Sequence, residues 1–254
     1  MKKMRGFSAI GVIVIVTVVA LLGVATFAII DGNNNATNFN DYDFYSVIEA
    51  NKDNGNIGDH VKGDPKAPVL IFEYADYQCP GCASINPKVN KAIEQSGGDL
   101  AIVYRSYLLS YHQNGTAAAS AAEAAGLQGY WKEYADKLFS EQAEWENATG
   151  SERTALFNKY FDEVTDGEGD MEKFNEDIAS DEVSKKISFD MGIGKRIDIQ
   201  ATPAFYVDGQ WIDWSEAGSV TVNGKEITWD SARGGDDFVK LLLEIVEAKT
   251  ATAD

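Results

Sequence analysis

The sequence predicts an α/β domain carrying an inserted block of helices, preceded by an N-terminal transmembrane helix. Three observations carry that expectation. Between residues 69 and 107 an apolar run, an amphipathic helix and a second apolar run follow one another with short links. A long stretch of helical periodicity then intervenes, and β-hairpin signals return only from residue 204. Two strands joined through a helix by short links imply a parallel pair with a right-handed crossover.

The N-terminal segment comes first. Lys2, Lys3 and Arg5 precede 24 uncharged residues, 7–30, rich in Val, Ile, Ala and Leu. At about 1.5 Å per residue this run is long enough to cross a hydrocarbon layer of ~30 Å. Basic residues before it, and Asp31, Asp41 and Asp43 after it, favour an N-terminus inside the cell and the rest of the chain outside. The competing reading is a cleaved secretory signal, whose apolar region is usually ~7–15 residues. Either reading places the domain outside the cytoplasm.

Residues 31–40 are polar and Asn-rich, a tether, and 41–50 form a short packed element. The turn cluster Gly63-Asp64-Pro65-Lys66-Ala67-Pro68 launches a buried strand at 69–74. Residues 83–95 place Ile85, Val89 and Ile93 on one helical face, with Pro87 inside as a kink. Gly97-Gly98 ends that helix and 100–107 reads as the next strand. An alanine-rich stretch, 115–126, opens the helical block, and Tyr130, Trp131, Tyr134, Leu138 and Phe139 continue a stripe read as core rather than as a cofactor site. Thr202-Pro203 precedes strand 204–207, the turn Asp208-Gly209 and strand 210–212; Asn223-Gly224 marks a second hairpin, and 238–246 is a terminal amphipathic helix.

A chain of 254 residues with 44% hydrophobic content buries one core. Its 40 acidic residues against 22 basic ones leave a net charge of −18, which repels phosphate backbones and excludes nucleic-acid binding. The two cysteines sit together as Cys79-Pro80-Gly81-Cys82, at the start of a helix, where two thiols can close and reopen a small disulfide ring. With no other cysteine they belong to no structural disulfide framework. His60 and His112 read as structural, and no His/Cys spacing supports a closed zinc site. The acidic run 162–170 fails the EF-hand template, since Val164 and Lys173 stand where oxygen ligands belong. The sequons at Asn35, Asn114 and Asn147 do not support glycosylation, since about one or two such triplets arise by chance in this composition.

In this order of elements the chain resembles the thioredoxin-like superfamily, and within it the membrane-anchored or secreted DsbA-like thiol:disulfide oxidoreductases. The resemblance covers roughly residues 63–248 and implies a thioredoxin-like fold with a helical insertion at about 115–194. It leaves 1–30 as cytoplasmic tip and anchor, 31–62 as flexible tether and N-terminal extension, and 249–254 as a tail. Glu73, six residues before Cys79, stands where that superfamily keeps a buried acid, and Pro87 matches its helix kink. Thr202-Pro203 matches the loop whose cis proline faces the redox pair and whose preceding residue binds an extended substrate segment. The pair Pro80-Gly81 departs from the Pro-His of the Gram-negative periplasmic enzymes.

What the resemblance implies is a cofactor-free enzyme. Cys79 is the exposed, reacting sulfur, favoured as a thiolate by backbone amides and the helix dipole; Cys82 is the buried resolving thiol, and Glu73 relays its proton. Its partners are exported proteins with free cysteines and a membrane reoxidase of the DsbB or vitamin K epoxide reductase type. Rival readings are a reductase or isomerase of the same fold, retained because Gly81 supplies no charge to Cys79, and a non-catalytic chaperone-like holder or copper carrier.

Overall fold

A computed structural model describes residues 37–230 and 236–251. The transmembrane helix expected at 7–30 lies outside the described residues, among which no helix is long and apolar enough to cross a membrane.

The sheet has five strands in the order β1-β3-β2-β4-β5. These are β1 (His60–Lys62), β2 (Val69–Ala75), β3 (Leu100–Ser106), β4 (Ala204–Val207) and β5 (Gln210–Ile212). β2 and β3 run parallel, joined by the helix α1 (Pro80–Gln95), and the other pairings are antiparallel. The period-two alternation of β2 separates its faces. Val69 and Ile71 join Ile85 and Val89 of α1, and Leu241, Leu242 and Ile245 of the last helix, in one buried layer. Phe72 and Tyr74 turn the other way, onto Val103, Phe189 and Ile193. The second hairpin forms a separate two-stranded sheet, β6 (Gly218–Val222) and β7 (Lys225–Trp229), before the last helix at Asp236–Thr250.

The inserted block contains α2 (Gly115–Leu127), α3 (Trp131–Ser140), α4 (Gln142–Trp145), α5 (Gly150–Val164), α6 (Met171–Ile178) and α7 (Asp181–Arg196); the last helix is therefore α8. Alanines of α2 have little side-chain volume and let helices approach closely. Ala118, Ala121, Ala122 and Ala125 share a buried cluster with Trp131, Tyr134, Tyr160 and Phe174, and Cys79 and Cys82 belong to it.

Within the N-terminal extension, residues 39–62 belong to the same compact unit as the sheet, while residues 31–36 of the expected tether lie outside the described residues. His60, Val61 and Lys62 pair with Tyr104, Val103 and Ile102 at the sheet edge. Charge also holds this segment. Buried Arg105 donates to both oxygens of Asp59, at 3.2 and 2.7 Å, and to the carbonyls of Phe44 and Ser46. Lys186 of α7 donates to Asp190 at 2.6 Å and lies 3.6 Å from Asp59. Burial alone pushes the Asp59 carboxyl up, yet Lys186 and Arg105 together hold it below its ordinary value. Removing one partner of such a cluster leaves buried charge uncompensated. Asp59→Ala is therefore expected to cost about 3–5 kcal/mol, read as a lowered urea midpoint at unchanged slope.

Candidate functional site

α1 begins at Pro80 rather than at the sequence-based start of residue 83. Proline suits the first helical position, where its missing N–H has no intrahelical partner to lose. That places Cys79 at the N-cap in extended conformation, φ −75°, ψ 120°, and Cys82 inside the first turn. Both are free thiols. Cys82 is fully buried, and Cys79, expected to be the exposed sulfur, is itself only 8% exposed. The loop opposite covers it: the Cys79 Sγ donates to the Thr202 carbonyl at 3.3 Å, and the Thr202–Pro203 peptide bond is cis. Gly81 faces that loop as well. A Cβ there would lie 3.2 Å from Pro203 Cδ, tight enough to press on the proline ring, and 3.6 Å from the Cys79 sulfur, an ordinary contact.

The two sulfurs are electrostatically unlike. The Cys79 pKa falls from 9.0 to about 5, first because the Cys82 thiol donates to its sulfur, then through the Thr202 side-chain hydroxyl and the Cys82 and Gly81 amides, against the opposing effect of burial. The sulfur makes no side-chain capping hydrogen bond, so the amides act on it as dipoles at longer range. Cys82 moves the other way, far above 9.0, through burial and then through the neighbouring Cys79. One thiolate and one retained proton is the arrangement thiol–disulfide exchange needs, since the thiolate attacks and the better-stabilised thiolate leaves.

Glu73 lies on the α1 side of β2, opposite Tyr104 in the register. It is buried, one carboxyl oxygen has no hydrogen-bond partner, and burial raises its pKa from 4.5 to about 7. Its charge acts on Cys82. The opposing influence is Lys62 of β1, held by Asn86 and Asp136 at 2.5 Å each. Asp136, on α3, also accepts from Asn86 at 2.9 Å and Asn90 at 3.1 Å.

Residues that sequence reasoning passed over hold the loop before Cys79. Asp76 is fully buried, and its carboxyl accepts from the amides of Gln78 and Leu109 and faces His112 Nδ1 at 2.8 Å. Its carbonyl accepts from the Cys79 amide at 2.9 Å. An aspartate ending a strand and bonding the amide two residues on is an Asx turn, and Asp76-Tyr77-Gln78 was a readable signal for it. Gln142 of α4 donates to the carbonyls of Tyr77 at 2.6 Å and Cys79 at 3.2 Å, so the helical insertion also braces the redox loop. His112 is tied to Asp76. His60 stacks on Trp131 at 4.5 Å and meets Glu123 at 2.7 Å. No cluster of metal-ligating side chains occurs among the described residues.

A Cys-x-x-Cys at a helix N-terminus, faced by a cis-proline loop on a mixed sheet, defines a thioredoxin-like protein, and the geometry suits thiol–disulfide exchange. The chain belongs to the thioredoxin family: residues 55–222 match the Thioredoxin_4 family, described as Thioredoxin. Among solved structures it is similar to BdbD from Bacillus subtilis, with a TM-score of 0.57, 19% identity, and coverage of 81% of this chain and 100% of that one. DsbA2 of Pseudomonas aeruginosa gives a TM-score of 0.51 at 22% identity, over 74% and 93% of the two chains. These likenesses establish the DsbA-like fold. A curated relative, the Na(+)/H(+) antiporter NhaA 1 of Mycolicibacterium gilvum, is 33% identical over 157 residues, which are 60% of this chain and 24% of the antiporter. The chain thus spans about a quarter of that relative's length.

Proposed function

We propose that the protein is an extracytoplasmic disulfide donor, oxidising exported proteins through Cys79 and Cys82. The observation that carries this reading is the placing of Cys79 at the N-terminus of α1 against the cis Thr202–Pro203 loop, with Cys82 buried behind it; the lowering of the Cys79 pKa to about 5 without any charged side chain at Gly81 supports it. A stable thiolate favours the dithiol over the disulfide, so the disulfide form is oxidising. This weighs against the reductase reading, which rested on the missing charge.

In the proposed cycle a substrate thiolate attacks Cys79 Sγ of the disulfide. The Cys79–Cys82 bond breaks, Cys82 leaves as a thiolate, and Glu73 gives it a proton. A second substrate thiolate then attacks the substrate sulfur of the mixed disulfide and expels Cys79. The substrate loses two electrons and two protons. The enzyme gains the electrons and keeps one proton on Cys82, while the other passes to solvent, because Cys79 stays ionised above about pH 5. Return to the disulfide requires an oxidant, for which the proposal names a quinone-linked membrane reoxidase. The anchor read at residues 7–30 would hold both proteins in one membrane.

Equilibration with glutathione tests the direction of electron flow. A potential nearer the ~−120 mV of DsbA than the ~−270 mV of thioredoxin is the expected result. A potential at or below that of thioredoxin would make the protein a reductase.

A further inference from the structure

Beside the redox pair runs a groove of about 700 Å³, lined by Thr202 and Pro203, by Tyr206 on β4, by Trp211 on β5 and by Trp214 just after it. Its place is fixed by the sheet: Tyr206 and Trp211 are register partners and so share one face. Tyr206 is buried, whereas Trp211 remains 57% exposed although it is a large apolar side chain. Trp214 is anchored rather than loose. Its indole N–H donates to the Pro203 carbonyl at 3.3 Å and its ring meets Phe238 edge-on at 5.6 Å. Trp229 donates in turn to the carbonyls of Asp213 and Glu216, fixing the loop that follows β5. The groove reaches Gly81, Thr202 and Pro203, the residues flanking Cys79, so it lies within reach of a chain bonded to that sulfur.

The lining also has a sign. Asp198 and Asp213 stand in it, and among the described residues no Lys or Arg does. The whole chain adds a net charge of −18. Asp213 gives one carboxyl oxygen to Ser215, and Asp198 one to Gln200; each carboxylate has acceptor capacity beyond these bonds. An aromatic wall flanked by carboxylates attracts a side chain that is apolar and a neighbour that is cationic.

Resting on the disulfide-exchange reading above, we infer that this groove selects substrates, and that the preferred client is an extended segment bearing an aromatic residue and a lysine or arginine within a few positions of its reacting cysteine. Trp211 reads the aromatic side chain and Asp198 with Asp213 reads the cation. The exchange step is unchanged: the client thiolate bonds to Cys79 as the Cys79–Cys82 bond breaks, and Cys82 leaves with the electron pair.

The test uses the full-length oxidised chain and four terminally blocked dithiol peptides, identical except for Phe or Ala at one position and Lys or Glu at another. The Phe/Lys peptide is expected to be oxidised at least tenfold faster than the Ala/Glu peptide, with the Lys advantage shrinking at high salt. Trp211→Ala, and Trp211→Gln as a second polar replacement at this exposed position, bring the Phe:Ala rate ratio to near one. Asp198→Asn with Asp213→Asn does the same to the Lys:Glu ratio. Leu127→Ala, an exposed apolar residue on α2 away from the groove, preserves both ratios. Equal rates for the four peptides, or ratios that survive these substitutions, overturn the inference while oxidation of dithiothreitol leaves the exchange reading standing. A chain that oxidises neither peptide nor dithiothreitol overturns both.

Discussion

At neutral pH iodoacetamide is expected to modify Cys79 at least a hundredfold faster than Cys82, with the Cys79 rate rising to half its plateau near pH 5. The midpoint follows from the Cys79 pKa of about 5, and the silence of Cys82 from burial that lifts its pKa far above 9.0. Ionisation and nucleophilicity compete in the absolute rate. At pH 6 roughly nine tenths of Cys79 is thiolate, against about one part in a thousand for an ordinary thiol at 9.0. The weaker base is a poorer nucleophile, by a factor of roughly 60 for a Brønsted slope near 0.45, so the net advantage is about fifteenfold. Mass spectrometry of the alkylated chain across pH 4–9 separates the two sulfurs.

The same experiment identifies what holds the thiolate. The largest single influence is the hydrogen donated by Cys82, ahead of Thr202 and the amides of Cys82 and Gly81. Cys82→Ala removes that donor while keeping the helix N-terminus and its dipole. The midpoint for Cys79 is therefore expected to rise by about one pH unit or more. A midpoint that stays near 5 in the variant would assign the effect to the backbone alone.

How much of this was legible in the sequence depends on whether a signal was local. β2, β3 and the β4–β5 hairpin were readable because apolar runs were bounded by Gly63 to Pro68, Gly97-Gly98 and Asp208-Gly209, turn residues with a physical reason for their place. Strand β1 was not. His60-Val61-Lys62 is three residues long with one apolar side chain, and only pairing with β3 makes it a strand. The charged partners were invisible for a related reason. Asp59, Arg105 and Lys186 are far apart in the chain, and neither period nor motif joins a carboxylate before the sheet to a lysine on the sixth inserted helix. At the site, Cys79, Cys82 and Pro203 came from motif and order. The covering of Cys79 by the Thr202 carbonyl, and the Asp136–Lys62 pair that acts on Glu73, required the fold. The groove lies between these cases: Trp211 and Trp214 stood in the sequence, but their exposure and the carboxylates beside them did not.

Glu73→Gln is expected to slow disulfide exchange about a hundredfold, the range typical of a lost general acid or base, while making the reduced protein more stable at pH 8. Both effects follow from burial of a carboxyl with one unpartnered oxygen. Its folded pKa of about 7 lies above the ordinary 4.5, so the stability it allows is full below 4.5 and is lost as pH rises through about 7. That gap corresponds to roughly 3 kcal/mol at 1.4 kcal/mol per tenfold change. Glutamine carries no charge and escapes the loss, apart from the cost of burying its own amide, which leaves a gain of about 1–3 kcal/mol at pH 8 and little at pH 5. The kinetic cost appears on Cys82, because the leaving thiolate has lost its proton donor and the buried thiol its acceptor. Stopped-flow oxidation of a dithiol peptide at several pH values reads the first effect, and the wild-type break near pH 7 should vanish in the variant. Urea unfolding of the reduced protein at pH 5 and 8 reads the second. A purely structural Glu73 would still give the pH-dependent stability change, which burial alone dictates, but the variant would keep the wild-type exchange rate and its break near pH 7, because nothing about the carboxyl's protonation would then reach the sulfur.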